Sequence, residues 1–293
     1  MKEIVVISGK GGTGKTSIVG SFAALAQPAV LADCDVDAAD LHLILNPEIK
    51  TSIPFSGGSI AQIDQNQCSV CELCAQVCRF DALVKKKLGR YSVNTMACEG
   101  CGVCAYVCPT AAIQMVPHVN GQLFLSGTKY GPMVHAKLGA AEENSGKLVS
   151  LVRSHAQKLA EAQGLDLIIV DGSPGTGCPV MSSITGTDAV LIVTEPTVSG
   201  IHDLIRVAEL TNHFKIPTWF CINKNDINPE NTRQLIDLGI KLGVELLGQI
   251  RFDKIVTQAQ IAAQPVVEFT DTDVASEITA VWQALLKKVN SNS

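Results

Sequence analysis

Gly9-Lys10-Gly11-Gly12-Thr13-Gly14-Lys15-Thr16 is the stretch that decides the fold. Gly9, Gly14, Lys15 and Thr16 hold the fixed positions of a phosphate-binding P-loop. An apolar run, Ile4–Ile7, precedes it and a helical pattern follows, which is the strand–loop–helix context the motif needs. Glycine lets successive backbone N–H groups wrap a phosphate, and the helix N-terminus adds a favourable dipole. Lys15 is expected to reach the β- and γ-phosphates of a nucleotide, and the Thr16 hydroxyl to bind Mg²⁺. The expected nucleotide-binding set is Gly9, Gly11, Gly12, Thr13, Gly14, Lys15, Thr16 and Ser17.

Outward from this loop, continuous apolar runs alternate with helical patterns. The further runs are Ala29–Ala32, Leu165–Val170, Ala189–Val193, Trp219–Ile222 and Leu246–Ile250. Runs of this kind fit strands buried on both faces of a parallel sheet. Leu204, Val207, Ala208 and Thr211 have helical spacing, with Ser199 as the expected N-cap, and so do Ile278, Val281, Trp282, Leu285 and Val289. The predicted fold class is α/β, a doubly wound and mostly parallel sheet with right-handed crossovers. Hydrophobic residues at 46% against 17% charged supply a sizeable core and exclude a disordered chain. A net charge of -5 gives no footprint for direct nucleic-acid binding. No signal peptide or membrane-length apolar run is present, so a cytoplasmic location is expected.

Eleven cysteines in a reducing compartment point to metal rather than disulfides. Eight fall into two copies of one pattern. Cys68-x2-Cys71-x2-Cys74-x3-Cys78 is followed by Cys98-x2-Cys101-x2-Cys104-x3-Cys108-Pro109. Structural zinc needs two pairs per site and has no use for three close cysteines plus a fourth. Each copy resembles the bacterial ferredoxin run, in which the fourth cysteine serves the other cluster. That resemblance implies two [4Fe–4S] clusters. Cys68, Cys71, Cys74 and Cys108 would hold one, and Cys98, Cys101, Cys104 and Cys78 the other. Arg79 departs from the run, standing where a proline often follows the fourth cysteine. The basic triplet Lys85-Lys86-Lys87 lies between the copies and is read first as a solvated loop and second as a docking surface for an acidic partner. The expected organisation is a discontinuous outer domain, residues 1–54 and 118–293, with a small α+β ferredoxin-like domain inserted at 55–117.

Lys10 makes the loop more specific. Lys10-Gly11-Gly12-Thr13-Gly14-Lys15-Thr16 resembles the deviant Walker motif of the MinD/ParA group of P-loop ATPases, which includes the nitrogenase iron protein and iron–sulfur scaffold ATPases. The resemblance implies ATP and Mg²⁺ as ligands and a homodimer, or a dimer with a related ATPase. In such a dimer Lys10 would contact the partner's nucleotide as a cation supplied in trans. Asp33-Cys34-Asp35-Val36-Asp37 resembles the first switch segment, with Asp35 orienting the attacking water and Asp33 near Mg²⁺. Lys10, Lys15 and Asp35 are therefore the expected catalytic residues. Asp37 and Asp40 are read as helix caps. Leu167–Asp171 has a Walker B pattern, so Asp171 would join Thr16 and Asp33 around Mg²⁺, and Gly172–Gly177 would be the second switch. Asn223 would contact adenine, and Glu195-Pro196-Thr197 and Ile250-Arg251-Phe252-Asp253 would be either loops around the nucleotide or ordinary helix-capping turns. Tyr130–Gly139 and Glu143–Lys147 also resemble the group. Of the remaining cysteines, Cys34 and Cys221 are expected to be packed thiols. Cys178 lies seven residues after Asp171, where the iron protein carries a cluster cysteine. A second such cysteine is missing around Gly139–Glu143, so a non-ligand role is expected.

Three purposes fit these features: ATP-gated electron transfer to a protein partner, cluster handling for a partner, or intracellular positioning with structural or sensory clusters. The last helical pattern is that of a packed helix, which argues against a direct membrane anchor.

Overall fold

The computed structural model describes residues 1–26, 28–139 and 145–291. In chain order the first elements are β1 (Lys2–Ser8), α1 (Lys15–Leu25), β2 (Val30–Asp33), α2 (Leu41–Leu45) and β3 (Glu48–Phe55). The cysteine-rich window holds β4 (Gly58–Ile63), α3 (Leu73–Val77), β5 (Leu83–Lys85), β6 (Tyr91–Val93), α4 (Val103–Tyr106) and β7 (Ile113–His118). Next come β8 (Gly121–Thr128), β9 (Gly131–Leu138), α5 (Ser145–Gln163), β10 (Leu167–Pro174), α6 (Cys178–Ile184) and β11 (Ala189–Thr194). The chain closes with α7 (Val198–His213), β12 (Thr218–Asn223), α8 (Pro229–Leu242), β13 (Glu245–Ile250), α9 (Ile255–Ile261), α10 (Val266–Phe269) and α11 (Asp273–Ser291). Two units result: Met1–Ile53, Leu123–Lys137 and Ser145–Ser293 form one, and Pro54–Gln122 with Leu138–Asn144 the other.

The first unit is built on a nine-stranded sheet of order β13-β12-β11-β1-β10-β2-β9-β8-β3. Ile4, Val5, Val6 and Ile7 have no exposed surface, as a central strand covered on both faces demands. β1 pairs in parallel with β10 on one side and β11 on the other. β10 in turn pairs with β2, which sets Asp171 in register with Asp33. The carboxyl ends of β1, β2 and β10 therefore gather beside the glycine loop, where open α/β sheets bind ligands. The main core lies on the α1 and α11 side, where the Phe22 and Trp282 rings meet at 4.8 Å. Ile278, Val281, Trp282, Leu285 and Val289 are all buried, so α11 is a core helix. No described helix is long and apolar enough to cross a membrane.

Three strands of the nine-stranded sheet have no counterpart in the apolar runs. β3, β8 and β9 extend the sheet beyond β2, and Tyr130–Gly139 is largely β9, paired in parallel with β2. The two-residue link between β8 and β9 makes that pair antiparallel. The start of α7 also differs from expectation. Thr197, not Ser199, is the N-cap, because its Oγ1 accepts from Gly200 N at 3.0 Å. Asp40 occupies the N-cap of α2 but makes no side-chain cap bond; Asp33 Oδ2 accepts from Leu41 N at 3.2 Å instead. Ala140–Asn144 lie outside the described residues, and with them Glu143 and Asn144 of the Glu143–Lys147 stretch; Ser145–Lys147 open α5.

The second unit folds as a repeat. β4 and β7 form one antiparallel pair and β5 and β6 another. Left-handed residues recur at equivalent places: Val70 and Gly100, Glu72 and Gly102, Asp81 and Ala111. Its apolar cluster is small: among the described residues Ala61, Cys104 and Ile113 are its buried members, packed by half-buried neighbours. A domain of roughly 60 residues with so little core needs a staple such as bound metal.

Candidate functional site

The glycine loop lies between β1 and α1. Gly14 has φ 88°, and a Cβ there would sit 2.3 Å from Asn223 Nδ2, so only glycine fits. The loop forms one wall of a cleft of about 540 Å³ that also takes in Ser17, Asp35, Asp40, Ile44, Pro174 and Gln260. Thr16 and Lys15 line it at the start of α1.

Lys15 is buried. Its ammonium ion-pairs with Asp171 Oδ1 and stands 3.6 Å from Asp35 Oδ2. Burial works against its charge, but the carboxylates of Asp171 and Asp35 outweigh that and hold its pKa above the ordinary lysine value. Burial and the nearby Asp171 push the Asp33 carboxyl well above the usual range. Burial likewise lifts Asp35 to about 6, against the pull of Lys15. Three carboxyl groups thus face one ammonium. Asp171 Oδ2 is buried without a hydrogen-bond partner. An orphaned carboxylate oxygen beside a surplus of acid fits a divalent cation, so Asp33, Asp171 and the Thr16 hydroxyl fit Mg²⁺.

The other predicted residues fall nearby with different partners. Lys10 reaches the start of α7. Its Nζ lies 2.6 Å from Glu195 Oε1 and donates to Ser199 Oγ at 2.8 Å. Glu195 also pairs with Lys224 at 2.9 Å, and Lys224 Nζ donates to Gly12 O. The two lysines keep the Glu195 carboxyl below its ordinary pKa although burial opposes them. Asn223 Nδ2 donates to Thr13 O at 2.7 Å, bracing the loop from behind. Arg251 pairs with Asp273 and Glu277, and it does not line the cleft. Gln260 of α9 does, and its Nε2 donates to Ser17 Oγ at 2.7 Å. Nothing in the sequence distinguishes that glutamine, which stands far from the loop along the chain. The expected second switch leaves β10, where Ser173 Oγ donates to Cys34 O at 2.5 Å and joins the two switch segments.

Cys34 and Cys221 are buried thiols. Burial pushes Cys221 up to about 12 and Cys34 well above its usual value, so both stay protonated. Cys178 is exposed at the start of α6.

In the second unit the eight clustered cysteines line two cavities. One is bounded by Cys68, Cys71, Cys74 and Cys108, the other by Cys78, Cys98, Cys101 and Cys104. Each cavity draws three thiols from one run and the fourth from the other. Among the described residues no three His, Cys, Asp or Glu side chains are placed to share a single metal ion. Four thiols lining one cavity, three from one run and one from the other, fit the ligand set of a [4Fe–4S] cluster.

Comparison with known proteins agrees with both halves of this geometry. A family model described as a 4Fe-4S dicluster domain matches residues 61–115. An uncharacterised protein of Methanocaldococcus jannaschii is 34% identical over 232 residues, 78% of this chain and 80% of that protein. The iron-sulfur cluster carrier protein of Pyrococcus abyssi is 27% identical over 139 residues, 43% of this chain and 46% of the carrier. Among solved structures, the septum site-determining protein MinD complexed with Mg-ADP from Pyrococcus horikoshii superposes with TM-score 0.56 at 17% identity, covering 100% of this chain and 98% of that one. A ParA family ATPase from Chlorobium tepidum gives TM-score 0.55 at 16% identity, covering 97% and 98%.

Proposed function

We propose that this chain, which belongs with the uncharacterised Methanocaldococcus jannaschii protein, shares the fold of MinD and ParA family ATPases and carries a 4Fe–4S dicluster domain, is an ATP-driven switch holding two [4Fe–4S] clusters and exchanging electrons with a protein partner. The observation that carries this reading is the pair of cavities, each ringed by four thiols taken from both cysteine runs.

In this reading the loop amides bind the phosphates of ATP and Lys15 balances charge on the β- and γ-phosphates. Thr16, Asp33 and Asp171 would hold Mg²⁺, which when bound neutralises phosphate charge. Asp35 orients a water for attack on the γ-phosphorus, and the bond to the bridging oxygen breaks to give ADP and phosphate. Lys10 acts in trans in a dimer of two such chains. For that it must leave Glu195, which Lys224 continues to neutralise. The eight cysteines hold clusters that take and give single electrons when bound. The Pyrococcus carrier favours a second reading, cluster delivery, as does the exposure of Cys71 and Cys101.

Anaerobically purified protein tests the first reading. Iron and sulfide analysis should give about eight of each per chain, with broad visible absorption that a one-electron donor bleaches. ATP hydrolysis should fall sharply in Lys10→Ala and Asp35→Ala, while both variants still bind ATP. Zinc in place of iron would remove the cluster reading. Transfer of intact clusters to an acceptor apoprotein, without reversible reduction, would favour delivery.

A further inference from the structure

Between Ala82 and Cys98 the sequence carries four basic residues, Lys85, Lys86, Lys87 and Arg90, and no acidic one, in a protein of net charge -5. All four side chains are exposed. Only Lys85 is neutralised, by Glu72; among the described residues no carboxylate pairs with Lys86, Lys87 or Arg90. These residues occupy the β5–β6 hairpin, whose second strand reaches the first thiol cavity. Tyr91 lines the cavity beside Cys68, Cys71 and Cys74. Lys85 lies over the Tyr91 ring at 5.9 Å and ties to Glu72, the residue after Cys71. The exposed apolar side chains Val70 and Leu73 border the same cysteine loop.

The repeat supplies an internal control. The strand equivalent to β5 in the second copy is β7, Ile113–His118, which carries no lysine or arginine. Lys85 is therefore not a requirement of that strand, and Lys86, Lys87 and Arg90 lie beyond it, in the turn that leads into β6. They do change what can approach the first cavity. A [4Fe–4S] core bound by four thiolates is anionic overall and repels an acidic protein. Three cations without a carboxylate partner, on the hairpin that supplies Tyr91 to that cavity, turn that approach attractive and orient it.

We propose that the β5–β6 hairpin is the docking surface for an acidic one-electron carrier protein, with electrons entering or leaving at the site of Cys68, Cys71, Cys74 and Cys108. The proposal rests on the two-cluster reading above and names the class of its partner. In the transfer the carrier's reduced centre is oxidised by one electron and the cluster is reduced by one; no bond breaks and no proton moves.

The test uses the full-length, cluster-loaded protein and an acidic plant-type [2Fe–2S] ferredoxin as probe. The triple variant Lys86→Glu, Lys87→Glu, Arg90→Glu is compared with Lys158→Glu, Lys241→Glu on helices of the first unit. Binding to the oxidised ferredoxin should weaken with salt and fall at least roughly tenfold in the triple variant only. The bimolecular rate of cluster reduction by reduced ferredoxin should fall by a similar factor. Reduction by photoreduced deazaflavin, a small molecule, should be unchanged, which with iron content establishes that the variant is loaded. Equal binding by wild type and triple variant overturns the proposal. So does tighter binding of the hairpin to phosphatidylserine vesicles or duplex DNA than to ferredoxin. Because binding is measured without electron transfer, a wild-type protein whose clusters refuse electrons from deazaflavin defeats the redox reading separately, while the docking surface is still decided by the binding data.

Discussion

Lys15 answers to two demands at once, since it lines the cleft of the glycine loop and, among the described residues, is the only cation paired with the buried Asp171. Lys15→Met should abolish nucleotide binding and also destabilise the chain by about 3–5 kcal/mol, because it strands a buried carboxylate. Adding Asp171→Asn should restore most of the stability and none of the binding; thermal melts beside ATP titrations separate the two. A variant that lost binding with no change in melting would contradict the buried pairing. His135 supplies a pH dependence. Burial, and secondarily His42, lower its pKa from 6.5 to about 4, while Ser126 Oγ lies 2.9 Å from its Nε2. The ring is neutral in the folded chain, and the unfolded chain protonates first on acidification. Its contribution is therefore complete above pH ~6.5, shrinks as the pH falls and is gone near pH ~4, a loss of about 3 kcal/mol. Asp33 and Asp35, with raised values, act in the opposite direction over the same range, so the test is the difference in melting temperature between wild type and His135→Phe as a function of pH. That difference should shrink toward acid; a constant gap would refute the assignment. Single residues were unevenly legible in the sequence. Gly9, Gly14, Lys15 and Thr16 announce themselves by fixed spacing, whereas Gln260 enters the cleft through tertiary packing of a helix with no local signature.

Elements with continuous apolar runs were readable because both their faces are covered, as in β1, β10 and β11. β3 was not. Its residues Glu48 to Ser52 are all exposed, so neither alternation nor an apolar run marks it. In the repeat, spacing of cysteines was legible but the backbone that shapes the cavities was not. Gly100 shows why glycine and valine occupy one role in two contexts. A Cβ at Gly100 would stand 2.1 Å from the Ser59 carbonyl oxygen, at φ 65°, whereas Val70 at the equivalent place has room for its side chain. Gly100→Ala should distort the loop between Cys98 and Cys101 and lose iron from that cavity, leaving roughly half the metal. Gly102→Ala, also left-handed but with open space around it, should cost only about 1 kcal/mol and keep the metal. Iron analysis of the two variants checks this; equal retention would mean that the loop tolerates a side chain.

At the scale of the whole molecule, the first switch segment leads through α2 into β3, and β3 leads directly into the cysteine unit. If γ-phosphate contacts move the switch, the two ligand sites share an equilibrium, and the effect must be reciprocal. ATP affinity should then differ by ~5–150-fold among oxidised, reduced and cluster-free protein, the range of ordinary coupling free energies. Chelator removal of iron should likewise differ with ATP, ADP or no nucleotide. Identical values in every state would leave the clusters independent of the ATPase cycle. The way the cysteine unit joins the chain carries a different consequence. Asn120 N donates to Phe55 O at 2.9 Å, and β3 and β8 are neighbours in the sheet. Entry and exit are therefore already the two arms of a hairpin. A two-residue Asn-Gly turn could replace everything between them without a break in the sheet. In genetic terms the cysteine unit is a cassette: a single insertion at one tight turn is enough to add the eight clustered cysteines to the sheet-bearing unit, and a single deletion is enough to take them away.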